Sequence, residues 1–162
     1  MPSRYEVRLA GSGGQGLILA GIILAEAGGI YDGKFVCQTQ SYGPEARGGA
    51  SKAEVVISDA EIDYPKAIQP DVLLAMNQKS LDAFIVDLKP GGLLLVDADL
   101  VKEVPASRSL ALPFTRIARD WGGRWRPTLL PWGPWPRVWP RLKAGGRSRP
   151  KRNPSNMKIL WS

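Results

Sequence analysis

Gly11-Ser12-Gly13-Gly14-Gln15-Gly16 decides how the chain is read: an apolar run, Val7 to Ala10, leads into it, and a longer apolar segment, Leu17 to Ala27, leads out. The order is strand, tight glycine turn, helix. Glycine tolerates positive φ, and without a Cβ it lets a ligand or another stretch of backbone come close. The turn aims the unpaired N–H groups of the helix start at the space above the sheet, which favours an anion. The pattern G-x-G-x-x-G matches a dinucleotide fingerprint, but such a site also needs an acidic residue at the end of the second strand. The second strand, Lys34 to Gln38, offers Gln38 and Gln40 there, and Asp32 lies ahead of it in the turn Tyr31-Asp32-Gly33. Close packing of a helix on a sheet accounts for the glycines at least as well as a phosphate does.

Working outward, the first helix is expected over about Leu17–Ala27, stopped by Gly28-Gly29 and largely buried, because apolar residues go nearly all round it. Cys37, within the second strand, reads as a small buried hydrophobe rather than a reactive thiol. From Gln40 to Ser51 the Gly-Pro and Gly-Gly breakers exclude regular structure through much of the segment. It sets Tyr42, Glu45 and Arg47 on a glycine frame. Two readings stay open: a contact surface, or a turn braced by Glu45 pairing with Arg47.

Ala53–Ser58 reads as a strand, and Asp71–Ala75 and Leu93–Val96 are continuous apolar runs of the kind covered on both faces. Between them, Asn77 or Ser80 caps a helix reaching about Leu88, which Pro90-Gly91-Gly92 ends. Asp97 and Asp99 follow and read as caps of a turn rather than as metal ligands. Ser109–Leu112 is a last strand, and Thr115 is an N-cap for a helix beginning at Arg116. Alternating strands and helices define an α/β fold: three layers, a mostly parallel sheet with helices on both faces, and a Rossmann-like glycine turn after the first strand.

The 162 residues suffice for one domain with a core. No run approaches the ~18 apolar residues of a membrane helix. The N-terminus lacks the basic-then-apolar layout of a secretory signal, so a reducing, cytoplasmic setting is expected. The absence of histidine excludes Ser-His-Asp and Cys-His catalysis within the chain and any histidine metal site. The single cysteine cannot supply the four thiolates of an iron–sulfur cluster. The net charge of +7 is unevenly spread: residues 1–120 carry −3 and residues 121–162 carry +10. All six tryptophans lie in that tail, with seven prolines and seven arginines, a composition that predicts no packed core.

At Gln38-Thr39-Gln40-Ser41-Tyr42-Gly43-Pro44-Glu45-Ala46-Arg47-Gly48-Gly49-Ala50-Ser51, taken with Gly11–Gly16 and Ile57-Ser58-Asp59, the chain resembles the gamma subunits of the 2-oxoacid:ferredoxin oxidoreductases. The 2-oxoglutarate (KorC-like) branch fits best, over about residues 4–120. The resemblance implies a scaffold or lid beside catalytic alpha, beta and delta subunits, with electrons passing through the complex to ferredoxin. The reaction it implies takes 2-oxoglutarate, coenzyme A and oxidised ferredoxin to succinyl-CoA, CO₂ and reduced ferredoxin. It implies that the other subunits carry thiamine diphosphate, Mg²⁺ and the iron–sulfur clusters. This chain would bind no cofactor or metal, hold no catalytic residue and be inactive alone. The candidate contacts to partner subunits or to coenzyme A are Gly13, Gly14, Gln15, Tyr42, Glu45, Arg47, Gly48 and Gly49.

The tail departs from the resemblance. Gamma subunits finish with an apolar Asn-x-x-x-x-Gly helix and a second amphipathic helix, and neither pattern follows Asp120. The expected division is therefore an incomplete α/β domain over residues 1–120 and a poorly ordered tail over 121–162. Trp, Arg, Gly and Pro are what a GC-rich gene yields when translated out of frame, and a frameshift is the leading account of the tail. Two alternatives remain: nucleic-acid binding through the basic, Trp-rich tail, or a nucleotide-binding regulator built on the glycine turn. No membrane contact is expected. Resequencing the locus is expected to show an insertion or deletion near codon 120, with a family-like helix in the alternate frame. An uninterrupted frame with a protease-resistant tail would refute this account.

Overall fold

Residues 3–42, 50–105, 109–122 and 157–161 are described by the computed structural model. The first half supplies β1 (Arg4–Ser12), α1 (Leu17–Glu26), β2 (Phe35–Tyr42) and β3 (Ala50–Ser58). Then come β4 (Val72–Ala75), α2 (Gln78–Phe84), β5 (Leu93–Asp97), β6 (Ser109–Leu112), α3 (Phe114–Gly122) and β7 (Met157–Trp161). Among the described residues these strands form one sheet in the order β6-β5-β4-β1-β3-β2-β7.

Strand alternation sorts side chains onto two faces. Val7 and Leu9 of β1, Val36 of β2 and Val55 of β3 form one buried cluster with Leu17 and Ala25 of α1, and Phe114 of α3 packs against it. Leu73 and Ala75 of β4 with Leu94 and Val96 of β5 form the other, beneath Leu81 of α2. Helices α1 and α3 thus cover one face and α2 the other, which is the expected three-layer α/β arrangement. Burying each such aliphatic side chain stabilises the fold by about 1.5–3 kcal/mol.

The sheet is mixed. Pairs β1–β4, β4–β5, β5–β6 and β2–β7 are parallel, whereas β1–β3 and β2–β3 are antiparallel. The reason is legible in the sequence: no helix separates β2 from β3, and a connection that short joins antiparallel strands. Both strands also run further into the Gln40–Ser51 segment than its breakers suggest, to Tyr42 on one side and from Ala50 on the other.

Helix α1 differs from expectation twice. It does not stop at Gly28-Gly29; Ala27–Tyr31 continue as a π-helical turn. In that wider turn Gly28 lies against the side chains of Val36 and Ile57. Nor is the helix largely buried: Leu17, Gly21 and Ala25 face the sheet, while Leu19 and Ile23 are exposed. Gly21 sets the spacing, because a Cβ there would lie 3.0 Å from that of Ala53. The helix rests on its small residues and turns larger ones outward.

Helix α2 has its N-cap at Asn77, whose side chain accepts from the Ser80 N–H at 2.8 Å, and its last turn, Ile85–Asp87, tightens to a 3-10 helix. At the far end of the chain, Met157–Trp161 add β7 in parallel beside β2. Met-Lys-Ile-Leu-Trp is free of Pro and Gly and suits a strand. Residues 123–156 lie outside the described residues.

Asp97 joins β5 to α3. Its buried carboxylate accepts from the N–H of Asp99 and of Thr115, each at 2.8 Å, and from the Thr115 hydroxyl. Thr115 therefore does not cap the helix, which begins a residue earlier, at Phe114; Asp97 caps it from the adjoining strand. Asp99 accepts from the Arg116 N–H at 3.1 Å, so both aspartates serve the turn. Burial pushes the Asp97 carboxyl up, but the Thr115 hydroxyl and the backbone N–H groups together outweigh it and hold it below the usual value. A depressed folded-state pKa stabilises the fold above the unfolded value, and that stability is lost as pH falls through the folded value. Urea unfolding at several pH values should show α3 loosening below about pH 4. Asp97→Asn should cost roughly 1–3 kcal/mol at pH 7 and flatten the acid limb.

Candidate functional site

The described members of the sequence-suggested site, Gly13, Gly14, Gln15 and Tyr42, lie toward one end of the sheet. Gly11 pairs with Ser51, Ser12 with Ala50, and Tyr42 with Ser51, so the glycine turn and both stems of the 43–49 segment share one row across β1, β3 and β2. Gly13 and Gly14 are exposed, and so is Tyr42. Glu45, Arg47, Gly48 and Gly49 lie outside the described residues, as does the question of a Glu45–Arg47 pair.

The turn is held from within. Gln15 folds back so that its Oε1 accepts from the Ser12 N–H at 2.6 Å, and its own N–H donates to the Ser12 carbonyl at 3.3 Å. Gly11 is closely packed: a Cβ there would sit 2.9 Å from Met76 Cβ, 2.3 Å from Gln15 Oε1 and 2.8 Å from Leu17 Cδ1, the last two being the mobile ends of their side chains. Gly14 and Gly16 take φ of 91° and 76°, the left-handed region that glycine occupies without strain. Asn77 completes the lock by donating to Ser12 Oγ at 2.8 Å, which joins the turn after β1 to the start of α2.

That geometry argues against a dinucleotide. β1 and β4 are parallel neighbours whose helices leave to opposite faces, and such a junction commonly opens a ligand crevice. Here Ser12 and Asn77 bond across it. The Gln15 side chain takes the Ser12 N–H. The strand beside β1 on the other side is antiparallel β3, and β2 lies beyond it. Gln38 does not turn toward a ribose; it is buried beneath α1, its Nε2 3.5 Å from the position of a Cβ on Gly21.

Sequence reasoning passed over Arg8, which sits inside the apolar run before the turn. Its Nε donates to Glu54 Oε1 at 2.8 Å and its Nη2 to the Ala67 carbonyl at 2.9 Å, and it ion-pairs with Asp87. The guanidinium lies 5.2 Å from the centre of the Phe84 ring. Lys52 reaches the same Glu54 oxygen at 3.3 Å and the same ring at 5.5 Å. The available signal was period-2 alternation: Glu6, Arg8 and Ala10 face away from Val7 and Leu9, and register places Arg8 opposite Glu54.

A mixed sheet between helices, with a glycine turn after β1 locked by its own side chains, defines an α/β domain without an open dinucleotide crevice at that turn. The chain belongs to the pyruvate ferredoxin/flavodoxin oxidoreductase family, whose profile matches residues 6–130. It is 56% identical over 122 residues to the 2-oxoglutarate synthase subunit KorC of Methanocaldococcus jannaschii, covering 72% of this chain and 65% of that one. It is 41% identical over 118 residues to the ketoisovalerate oxidoreductase subunit VorA of Methanothermobacter thermautotrophicus, covering 72% of this chain but only 24% of that one. The structure of the keto/oxoacid ferredoxin oxidoreductase gamma subunit from Geobacter sulfurreducens superposes with a TM-score of 0.66 at 52% identity, covering 75% of this chain and 67% of that one. The chain thus spans at most about two thirds of these relatives.

Unfolding of the isolated chain tests the lock. Gly11→Ala should cost about 1–3 kcal/mol through overpacking. Gln15→Ala should cost roughly 1 kcal/mol by leaving the Ser12 N–H unpaired. In the Gln15→Ala background Gly11→Ala should cost less, since the nearest clashing atom is gone. Additive losses would show that the two residues do not interact.

Proposed function

We propose that this chain is the gamma subunit of a 2-oxoglutarate:ferredoxin oxidoreductase and serves as a scaffold or lid beside the alpha, beta and delta subunits. The observation that carries the reading is the 56% identity to a KorC subunit over 122 residues, a span longer than either glycine-rich segment. In the complex, 2-oxoglutarate and coenzyme A yield succinyl-CoA and CO₂, and two electrons reduce two oxidised ferredoxins.

Thiamine diphosphate, Mg²⁺ and the clusters are assigned to the other subunits. This chain's part is to present Gly13, Gly14, Gln15 and Tyr42, with Glu45, Arg47, Gly48 and Gly49, at one end of the sheet. There a guanidinium at Arg47 would clamp a partner carboxylate or a phosphate of coenzyme A. A cytoplasmic setting fits that role. Among the described residues no helix is long and apolar enough to cross a membrane.

Reconstitution tests this. The chain alone should show no 2-oxoglutarate-dependent reduction of ferredoxin, and the complex containing it should. Within a complex built on a full-length gamma chain, Arg47→Ala should weaken assembly or raise the coenzyme A requirement about tenfold, the size expected for one lost charge-assisted hydrogen bond. Turnover by the chain alone would overturn the scaffold role. A variant that differs only in lower thermal stability would return Arg47 to a bracing role.

A further inference from the structure

The two edges of the sheet are built differently. Among the described residues β6 ends it on one side, and β2, but for β7, would end it on the other. Strand β6 has four residues and runs straight into Pro113, the short, proline-stopped form in which an edge resists pairing with another chain. Strand β2 has neither safeguard. Its eight residues, Phe-Val-Cys-Gln-Thr-Gln-Ser-Tyr, include no charge, no proline and no glycine, and Phe, Val, Thr and Tyr favour strands. An uncharged, proline-free segment of about six or seven such residues is the kind that stacks strand on strand with copies of itself. Left bare, Val36 to Gln40 would present a row of unpaired N–H and C=O groups. Those are the residues that β7 pairs with, Val36 with Met157 through Gln40 with Trp161. Moving the edge outward to β7 changes its character. Strand β7 is five residues long and includes Lys158, and short strands and lysines are what sheet edges normally use.

We infer that the outer edge of β2 is a strand-acceptor site and that residues 157–161 are its occupant, a strap that keeps a second copy of the chain from pairing there. The strap is the last strand in the sequence and has one neighbour in the sheet, β2. It can therefore leave without breaking any other strand pair, and a separate peptide of the same sequence can take its place. Pairing at a sheet edge is carried by the main chain, so the site accepts an extended segment laid parallel to β2. The inference is independent of the proposed subunit role, since it concerns only the chain's own sheet.

The test compares the full chain with Ile159→Pro/Leu160→Pro. Successive N–H groups of a strand point to opposite sides, so one of the two prolines removes a donor facing β2 whichever way β7 is set. At high dilution, hydrogen exchange should quicken about tenfold at those amides of Val36–Gln40 that face β7, and stay unchanged at Val7 and Leu9 in β1. At higher concentration, light scattering should show about tenfold more associated material than wild type, as expected of a bared edge. An excess of a synthetic peptide of residues 156–162 should return both readings to the wild-type values. A chain ending at Asn156 should repeat the result. Unchanged exchange in the proline variant, association no greater than wild type, or a peptide without effect each overturns the inference. Faster exchange at Val7 and Leu9 as well overturns it by showing that β7 holds the whole sheet rather than its edge. A difference between the proline variant and the shortened chain overturns it by tracing the effect to the prolines rather than to the lost strand.

Discussion

The structure depends on a guanidinium with nowhere to go but inward. Arg8 lies on a central strand, between β4 and β3, and is only 4% exposed. An unpaired charge there would cost several kcal/mol, so its position is tenable only while Glu54, Asp87 and the Ala67 carbonyl all reach it. Those partners come from the next strand, the end of the second helix and the intervening loop. Burying one charge therefore fixes where three separate segments must lie. The neighbouring Glu6 does the same on a smaller scale: its carboxylate takes the N–H groups of Ile68 and Gln69 at 2.7 and 2.9 Å and pins a loop that has no regular structure.

With that frame set, the other face is free to be apolar and close-packed. Helix α1 approaches through Gly21 and Ala25, and the glycine turn is drawn onto Met76 and Asn77. The turn's glycines thus answer to packing as much as to any ligand. Its outward edge, Gly13 and Gly14, is left as a smooth exposed backbone. A rigid loop with little side-chain entropy to lose is well suited to an interface.

Much of this was legible before any coordinates. The apolar runs at Val72–Ala75 and Leu93–Val96 are strands because four consecutive apolar residues between turn signals admit little else. Asn77 or Ser80 was readable as the cap of the next helix, and Asn77 takes that place. What escaped was whatever depends on partners distant in sequence. Arg8 was passed over inside an apolar run because its counter-charges lie 46 and 79 residues away. The exposure of Leu19 and Ile23 escaped because uniform apolarity does not say which side the sheet will take. The pairing of β7 with β2 escaped because a five-residue strand inside a Pro- and Arg-rich tail has no local periodicity to announce it. At the site, the sharing of one row by Gly11, Ser51 and Tyr42 required knowing that β2 and β3 pair antiparallel, which a helix-by-helix reading of α/β alternation obscures.

The spacing of the Arg8 partners also has a meaning in time. A chain made from its N-terminus presents Glu54 to β1 first, the Ala67 carbonyl next and Asp87 last, at separations of 46, 59 and 79 residues. At roughly 5–20 residues per second, the wait from Arg8 to Asp87 is about 4–16 seconds of synthesis. Through that interval Arg8 must stay hydrated, so β1 cannot settle into a finished sheet while the ribosome is still working on the middle of the gene. The first strand made is among the last to be sealed, and a nascent chain released before Asp87 emerges would hold a sheet with an open charge at its centre.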